Sequence, residues 1–434
     1  MARPRIVIVG AGFAGFTAAR KLAKLSHGSA EIVIVNPTDY FLYLPLLPEV
    51  ATGLLEPRRV TVSLAEALPG VRVVLGEVDG FDLDGRMISY TDPEGGTGKL
   101  GYHRLVISVG SVNKLLPVPG VAQHAHGFRG ISEALYLRDH ITRQIEMAAN
   151  ATDETERRAR CTFVVVGAGY TGTEVAAQGV LYTRDLVKTR PDLQGLPRWL
   201  LIDTADRVLP SLDRRLADAS DEVLRERGVE ILTKTSVQEA MADGVRLSTG
   251  EYVPTKSLIW CVGVRPDPLV DGVGLPTREG RLCVDEYLNV PGYPDVYAIG
   301  DAAAVPDLTM PGEITGMTAQ HAVRHGHTAA LNIAASYGRG RRRPYKHHDL
   351  GFVVDLGGLD SAANPLGVAI KGFPAKVVTR GYHLLSMPGN RVRVAGDWLL
   401  DSVLGRHGVQ LGLVRGKAVP LDADSPEGQG TSGR

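Results

Sequence analysis

Two stretches of this chain carry residues spaced for the same chemistry: "VGAGFAG", with Gly10, Gly12 and Gly15, and "VGAGYTG", with Gly167, Gly169 and Gly172. In such a turn the first glycine permits the bend, the second lets a pyrophosphate approach the backbone, and the third lets a helix pack closely on its strand. The phosphate then rests on the positive end of that helix. One dinucleotide needs one such turn. Two turns imply two dinucleotides held together, a carried flavin (FAD) and a diffusing nicotinamide (NADH), with a hydride passing between them.

The residue that ends the second strand of each unit reports which ribose is held. Asp203, closing "WLLID", can accept from both ribose hydroxyls and repels a 2′-phosphate, which favours NADH over NADPH at the second turn. Asn36 holds the matching place in the first unit, where an acid is usual; its amide bonds a ribose hydroxyl more weakly. Glu174 follows Gly172 by two residues. The helix dipole there is expected to stabilise its carboxylate and the turn to aim it at the cofactor.

Those residues need strands and helices to hold them. The apolar run from Arg5 to Val9, "FTAARKLAKL" and "EIVIVN" read as one βαβ unit, and "CTFVVVG", "TEVAAQGVLYTRDLVK" and "RWLLID" as a second. Short alternating runs follow each. "YPDVYAIGDAA" reads as a strand entering a helix, and "TAQHAVRHGHTAALNIAASY" as a long helix. The expected architecture is α/β: two Rossmann-like dinucleotide-binding domains and a small α+β C-terminal region. The expected boundaries are 1–118 with 293–343 for FAD, 119–292 for NADH, and 344–416 for the C-terminal region. Residues 417–434 read as a disordered polar tail.

Composition supports a folded protein of several domains, with 434 residues, 44% apolar and 22% charged. Lys plus Arg (48) equals Asp plus Glu (48), so the charge balance points to no nucleic-acid partner. Cys161, Cys261 and Cys283 lie far apart in strand-like runs, which suits buried thiols in a reducing cytoplasm rather than a dithiol relay. The basic run "RGRRRP" reads as a solvated linker, with contact to anionic lipid as the alternative. No signal peptide is expected at the start, nor is any apolar run long enough to span a bilayer.

At "VYAIGDAA", with Gly300 and Asp301, the chain resembles the second FAD fingerprint of the glutathione-reductase-like flavoproteins, in which Asp301 would bind the ribityl chain. Within that superfamily it is most similar to the type II NADH dehydrogenases, with sulfide:quinone reductases as relatives. The marks are "LPLLPEVATG", "GEVDGFDLDGRMI", "LVISVGSVN", "WCVGVRP", "TAQHA" and "KGFPA", spread over residues 5–415. The resemblance implies that Val78 holds the adenine through its backbone and that Gly110 lies along the FAD. Glu174 would sit between the nicotinamide and the isoalloxazine, and Gly263 would line the nicotinamide passage. Gln320, with Ala319, would face the flavin where a quinone docks.

Some positions depart from the group. Arg324 stands where a second glutamine is usual, Met317 where proline is common, and His321 and His325 where small or amide residues are. A dry cation beside an apolar ring costs several kcal/mol, so Arg324 bears on the acceptor. "FPAKVVTRGYHLL" and "GDWLLDSVLGRHGVQLGLV" can present apolar faces, through Phe373, Val377, Tyr382, Leu384, Trp398, Leu399 and Leu404. Such faces would rest on the cytoplasmic side of a membrane or make a homodimer or domain contact. Two other functions remain open at this point: a soluble NADH-dependent reductase serving a small molecule or redox protein, and a non-catalytic flavoprotein that responds to NADH.

Overall fold

Continuous β-branched runs have no polar face to offer water, so they belong in sheets covered on both sides. In the computed structural model, which describes residues 3–404, 406 and 408–421, they form two parallel sheets. The first runs Asn289–Val290, Tyr293–Ala298, Arg104–Ile107, Arg5–Val9, Glu31–Asn36, Val71–Leu75, parallel throughout except for the edge pair. The second runs Ala125–His126, Ser257–Trp260, Thr162–Val166, Arg198–Ile202, Val229–Leu232. In each, the strand that enters the glycine turn sits between the next strand of its unit and a later one, the arrangement that opens a crevice at the strands' carboxyl ends.

The duplication extends further. After Val71–Leu75 in the first unit and Val229–Leu232 in the second, the chain inserts a three-stranded antiparallel sheet: Glu77–Asp82, Met87–Thr91 and Thr97–Gly101 in the first, Val237–Met241, Gly244–Leu247 and Tyr252–Pro254 in the second. An antiparallel pair, Ser111–Asn113 with Val264–Pro266, ties the units together.

Six helices carry the argument: α1 (Phe13–Ser26), α2 (Ile131–Ala149), α3 (Tyr170–Leu186), α4 (Ala319–Ser336), α5 (Gly372–Ser386) and α6 (Arg391–Asp401). Gly12 and Gly169 are the N-caps of α1 and α3. α4 is capped by Thr318, whose Oγ1 accepts from His321 N at 3.2 Å. It crosses α1 so closely that a Cβ on Gly326 would strike the Ala14 carbonyl oxygen. On the second sheet, α3 leaves Gly179 open for the Trp199 ring, which stacks on Phe163 at 4.7 Å.

Two expectations change here. "YAIGDAA" does not lead into an α-helix: after Tyr293–Ala298 comes one short turn, Gly300–Ala302, and the chain returns to extended backbone at Ala303–Ala304, pairing with Arg281–Cys283. That pairing takes up the backbone groups a helix would have used. The last segment differs from its composition too. Val419 and Leu421 are buried, Leu421 in the core of the second unit, so 417–421 packs, while 422–434 lies outside the described residues.

The C-terminal region is a three-stranded antiparallel sheet (Val353–Asp355, Ser361–Ala363, Ile370–Lys371) covered by α5 and followed by α6. Beyond α6 the chain crosses to the second unit. Arg406 Nη2 donates to Gln178 Oε1 at 3.1 Å, and the Leu411 and Gly412 N–H groups donate to the Asp139 carboxylate at 3.1 and 2.6 Å. No helix among the described residues is long and apolar enough to cross a membrane.

Candidate active site

The two turns are near copies. Gly10 and Gly167 take φ of +92° and +103°, a region that a side chain disfavours, and in both a Cβ would press on a neighbouring carbonyl, that of Ser108 or of Cys261. A Cβ on Gly15 or Gly172 would strike the carbonyl oxygen of Gly10 or Gly167, so each helix packs against its own turn. Nothing crowds Gly12 or Gly169. The backbone is bare where a phosphate would arrive.

The strand ends close on these turns in the same way. Asn36 Oδ1 accepts from Ala11 N at 2.8 Å, and Asp203 Oδ2 from Ala168 N at 2.5 Å. Asn36 is buried, and its amide also donates to Thr38 O and Thr38 Oγ1, each at 3.0 Å. Asp203 is half-buried, and its Oδ1 accepts from Ala205 N at 2.7 Å. The amide at position 36 thus does locally what the acid does at 203.

Two cavities meet at the first turn. The smaller, about 530 Å³, is lined by Gly10, Gly12, Asn36, Val78, Gly110 and Arg129, among others. The larger, about 860 Å³, includes Gly12, Gly110, Gly167, Gly169, Asp203, Gly263, Gly300, Asp301 and Ala319. Of the expected site residues, Gly15 and Gly172 stand behind the turns as packing groups, and Glu174 and Gln320 line neither cavity.

Glu174 is the fifth residue of α3, because the helix begins at Tyr170, so it lies past the first turn where the dipole acts. Its Oε1 accepts from Asp355 N at 2.9 Å. Burial, against that hydrogen bond, holds its carboxyl well above the usual range, which reverses the expected stabilisation of its charge. Gln320 is turned to the C-terminal region: Nε2 donates to Gly351 O at 2.9 Å and Oε1 accepts from Leu350 N at 3.2 Å.

Arg324 does not leave a dry charge at the cavity. It is half-buried and donates to His347 Nδ1 at 3.1 Å, outside both linings. His321 meets Tyr345 Oη at 2.8 Å and stacks on His347 at 4.1 Å, and His325 Nδ1 accepts from Gly300 N at 3.3 Å. Burial lowers the pKa of both, that of His321 to about 4, so both are neutral at pH 7. The wall that α4 and the turn before it give the larger cavity is therefore Met317, Thr318, Ala319 and Ala322.

Several residues at the site escaped sequence reasoning. Arg129 lines both cavities and donates from Nε and Nη2 to Ser111 O and Ser111 Oγ, each at 2.6 Å. Ser111 Oγ in turn donates to Asp301 Oδ2 at 2.5 Å. Behind Glu174 lies a buried ion pair, Lys376 Nζ to the Asp355 oxygens at 2.6 and 2.7 Å. Beside it Glu49 Oε2 accepts from Trp398 Nε1 at 2.6 Å, and burial pushes the Glu49 carboxyl up to about 7. Trp398, expected on an exposed face, is 4% exposed because this bond draws it inward. Charged residues inside apolar runs, Glu49 in "LLPEVA" and Lys376 in "FPAKVV", were the available signal.

The cysteines form no disulfide, and burial raises the Cys161 and Cys261 thiols to about 11 and about 12. Both are poor thiolates.

The sequence profile of the pyridine nucleotide-disulphide oxidoreductases matches residues 4–326. The type II NADH:quinone oxidoreductase NdhA of Mycobacterium tuberculosis is 30% identical over 430 residues, 95% of this chain and 89% of that protein. The demethylphylloquinone reductase NdbB of Synechocystis is 30% identical over 412 residues, 92% of this chain and 96% of that protein. The NDH2 structure from Plasmodium falciparum in complex with NADH superposes with a TM-score of 0.86 at 18% identity, covering 94% of this chain and 100% of that one, and so shares its fold. The match across both glycine turns, and near-full-length likeness beyond them, mean that the chain belongs to the pyridine nucleotide-disulphide oxidoreductase family, in its type II NADH dehydrogenase-like group.

Proposed function

We propose that the protein is an FAD-dependent NADH:quinone oxidoreductase. The observation that carries this reading is the meeting of the two cavities at Gly12 and Gly110, with both bare glycine turns opening onto the larger one. A flavin seated on the first turn supplies the two-electron chemistry. The remaining work is the chain's own.

Gly12 at the start of α1, Asn36, the Val78 backbone and the Asp301–Ser111–Arg129 group fit FAD: a bare helix end for pyrophosphate, an acceptor for ribose, and an oriented carboxylate for a polyol. Gly169 at the start of α3 and Asp203 fit NADH, with Asp203 disfavouring a 2′-phosphate. Gly263, at φ +100° in the same cavity, keeps the nicotinamide passage clear. Holding two rings in register converts hydride transfer into an effectively unimolecular step.

The acceptor would meet the cavity at Met317, Thr318 and Ala319, a wall without charge that suits a quinone ring better than a highly charged acceptor. Phe373, Val377, Leu399 and Leu404 are 56–68% exposed on and just beyond α5 and α6, which supports a peripheral seat on a membrane. A homodimer would cover the same face.

The deciding experiment is NADH oxidation by the purified yellow protein with a series of quinones, in detergent and in liposomes. Turnover that depends on quinone, and co-sedimentation with the liposomes, is expected. NADH oxidation that runs only with a ferredoxin or oxygen would replace this reading with that of a soluble reductase.

A further inference from the structure

Helix α4 buries one polar side chain that its own packing does not explain. Ala322, Ala329, Ala330 and Ile333 turn small or apolar surface inward. The buried Asn332 amide is bonded at both ends: Nδ2 donates to Tyr287 O and Arg343 O at 2.9 and 3.0 Å, and Oδ1 accepts from Arg343 N at 2.8 Å. His325 is different. It is 1% exposed, its Nε2 has no hydrogen-bond partner among the described residues, and an apolar residue would fill the place without that cost. The bond its ring does make is to the backbone of another element: Nδ1 accepts from Gly300 N at 3.3 Å.

Gly300 needs an acceptor from outside its own strand. Ile299 N makes the last ladder bond, to Ile107 O at 3.0 Å. The chain then leaves the sheet for the turn Gly300–Ala302, which Ala303 N closes on Gly300 O. A buried N–H at such a departure is costly unless some side chain answers it. Three elements that front the larger cavity meet here. A Cβ built on Gly300, whose φ is +68°, would lie 3.0 Å from Ala14 Cβ on α1 and 3.8 Å from Ala322 Cβ on α4. Ala14, Gly300, Asp301 and Ala322 all line that cavity. The next residue is Asp301, whose carboxylate is held from its other side by Ser111 Oγ. The imidazole is itself braced, for its ring lies 4.4 Å from that of Tyr345 at 77°, and the Tyr345 hydroxyl meets His321 Nδ1 at 2.8 Å.

We infer that His325 is a positioning residue for the flavin: its Nδ1 anchors the Gly300 N–H to α4 and so holds the Asp301 carboxylate where a ribityl hydroxyl would reach it. The inference rests on the reading of the first turn as an FAD seat. His325 lines neither cavity, so it acts through the turn. With Nδ1 accepting, the ring proton belongs on Nε2.

Two variants separate the acceptor from the bulk of the ring. Leu fills most of the volume of an imidazole and accepts nothing, whereas Asn is smaller and its Oδ1 can stand where Nδ1 stands. Packing alone ranks Leu above Asn; the anchor ranks Asn above Leu. The full chain is purified with its flavin, and release of FAD on dilution is followed by the return of free-flavin fluorescence. His325→Leu is expected to release FAD roughly tenfold faster than wild type, and His325→Asn to stay within about threefold of it. The inference is overturned if His325→Leu keeps its flavin as wild type does, or if His325→Asn loses it as fast as His325→Leu. Should neither variant fold, nitrogen NMR of the wild-type imidazole decides: a bare Nδ1 and a proton on Nε2 support the anchor, and a proton on Nδ1 overturns it. Wild-type protein that is colourless and takes up no added FAD would instead remove the functional reading, and this inference with it.

Discussion

The two glycine turns share their backbone and differ in what surrounds them. Asn36 is buried and bonded to Ala11 and Thr38, and the residue behind the third glycine is Ser108, whose Oγ donates to Val9 O and Gly10 O at 2.7 and 3.0 Å. At the second turn Asp203 is half-buried at the edge of the larger cavity, and Cys261 stands in the place of Ser108. One frame thus carries a buried amide at the first turn and a half-buried acid at the second. This is the physical difference expected between a cofactor that stays and a substrate that leaves each turnover.

The largest effect should come from the glycines that press on their own turns. Gly15→Ala should emerge without flavin and with NADH oxidation down by at least about 100-fold, whereas Gly172→Ala should stay yellow and bleach with NADH roughly 10–100-fold more slowly. Visible spectra and stopped flow check both, and equal flavin loss in the two variants would erase the distinction between seats.

Next comes Asp203→Asn, which gives the second turn the residue of the first. Its amide oxygen can still accept from Ala168 N, but the charge is gone. KM for NADH should rise, and the preference for NADH over NADPH should fall by about tenfold. An unchanged preference would show that Asp203 does not read the ribose. The reciprocal change, Asn36→Asp, sets a carboxylate against the Thr38 carbonyl and should cost about 1–2 kcal/mol in urea unfolding while flavin is retained. Smallest is Cys261→Ser: a twofold to threefold change in KM for NADH at most, since its thiol is inert.

Much of this frame was legible locally. Both βαβ units, the strand ending at Asn36, the strand ending just before Asp203, and the helix over Ala319–Ser336 follow from residue periodicity and glycine spacing, because neighbours in sequence decide them. The misreadings share a cause. Glu174 counts as a first-turn acid only if the helix begins at Gly172, and it begins two residues earlier. Asp301 leads into a helix only if its backbone is not claimed by the strand at Arg281–Cys283. The Glu49–Trp398 and Glu174–Asp355 contacts join residues 349 and 181 apart, which no local window can see. Trp398 looked like surface for the same reason.

The crossing of the chain from α6 back to Gln178, Asp139 and the core around Leu421 sets a limit on motion. With the Ser111–Asn113 ladder it fastens the second unit at two separated places, so that unit has no single hinge about which to swing. A ligand that reaches the second turn therefore meets a seat whose frame is held from two sides.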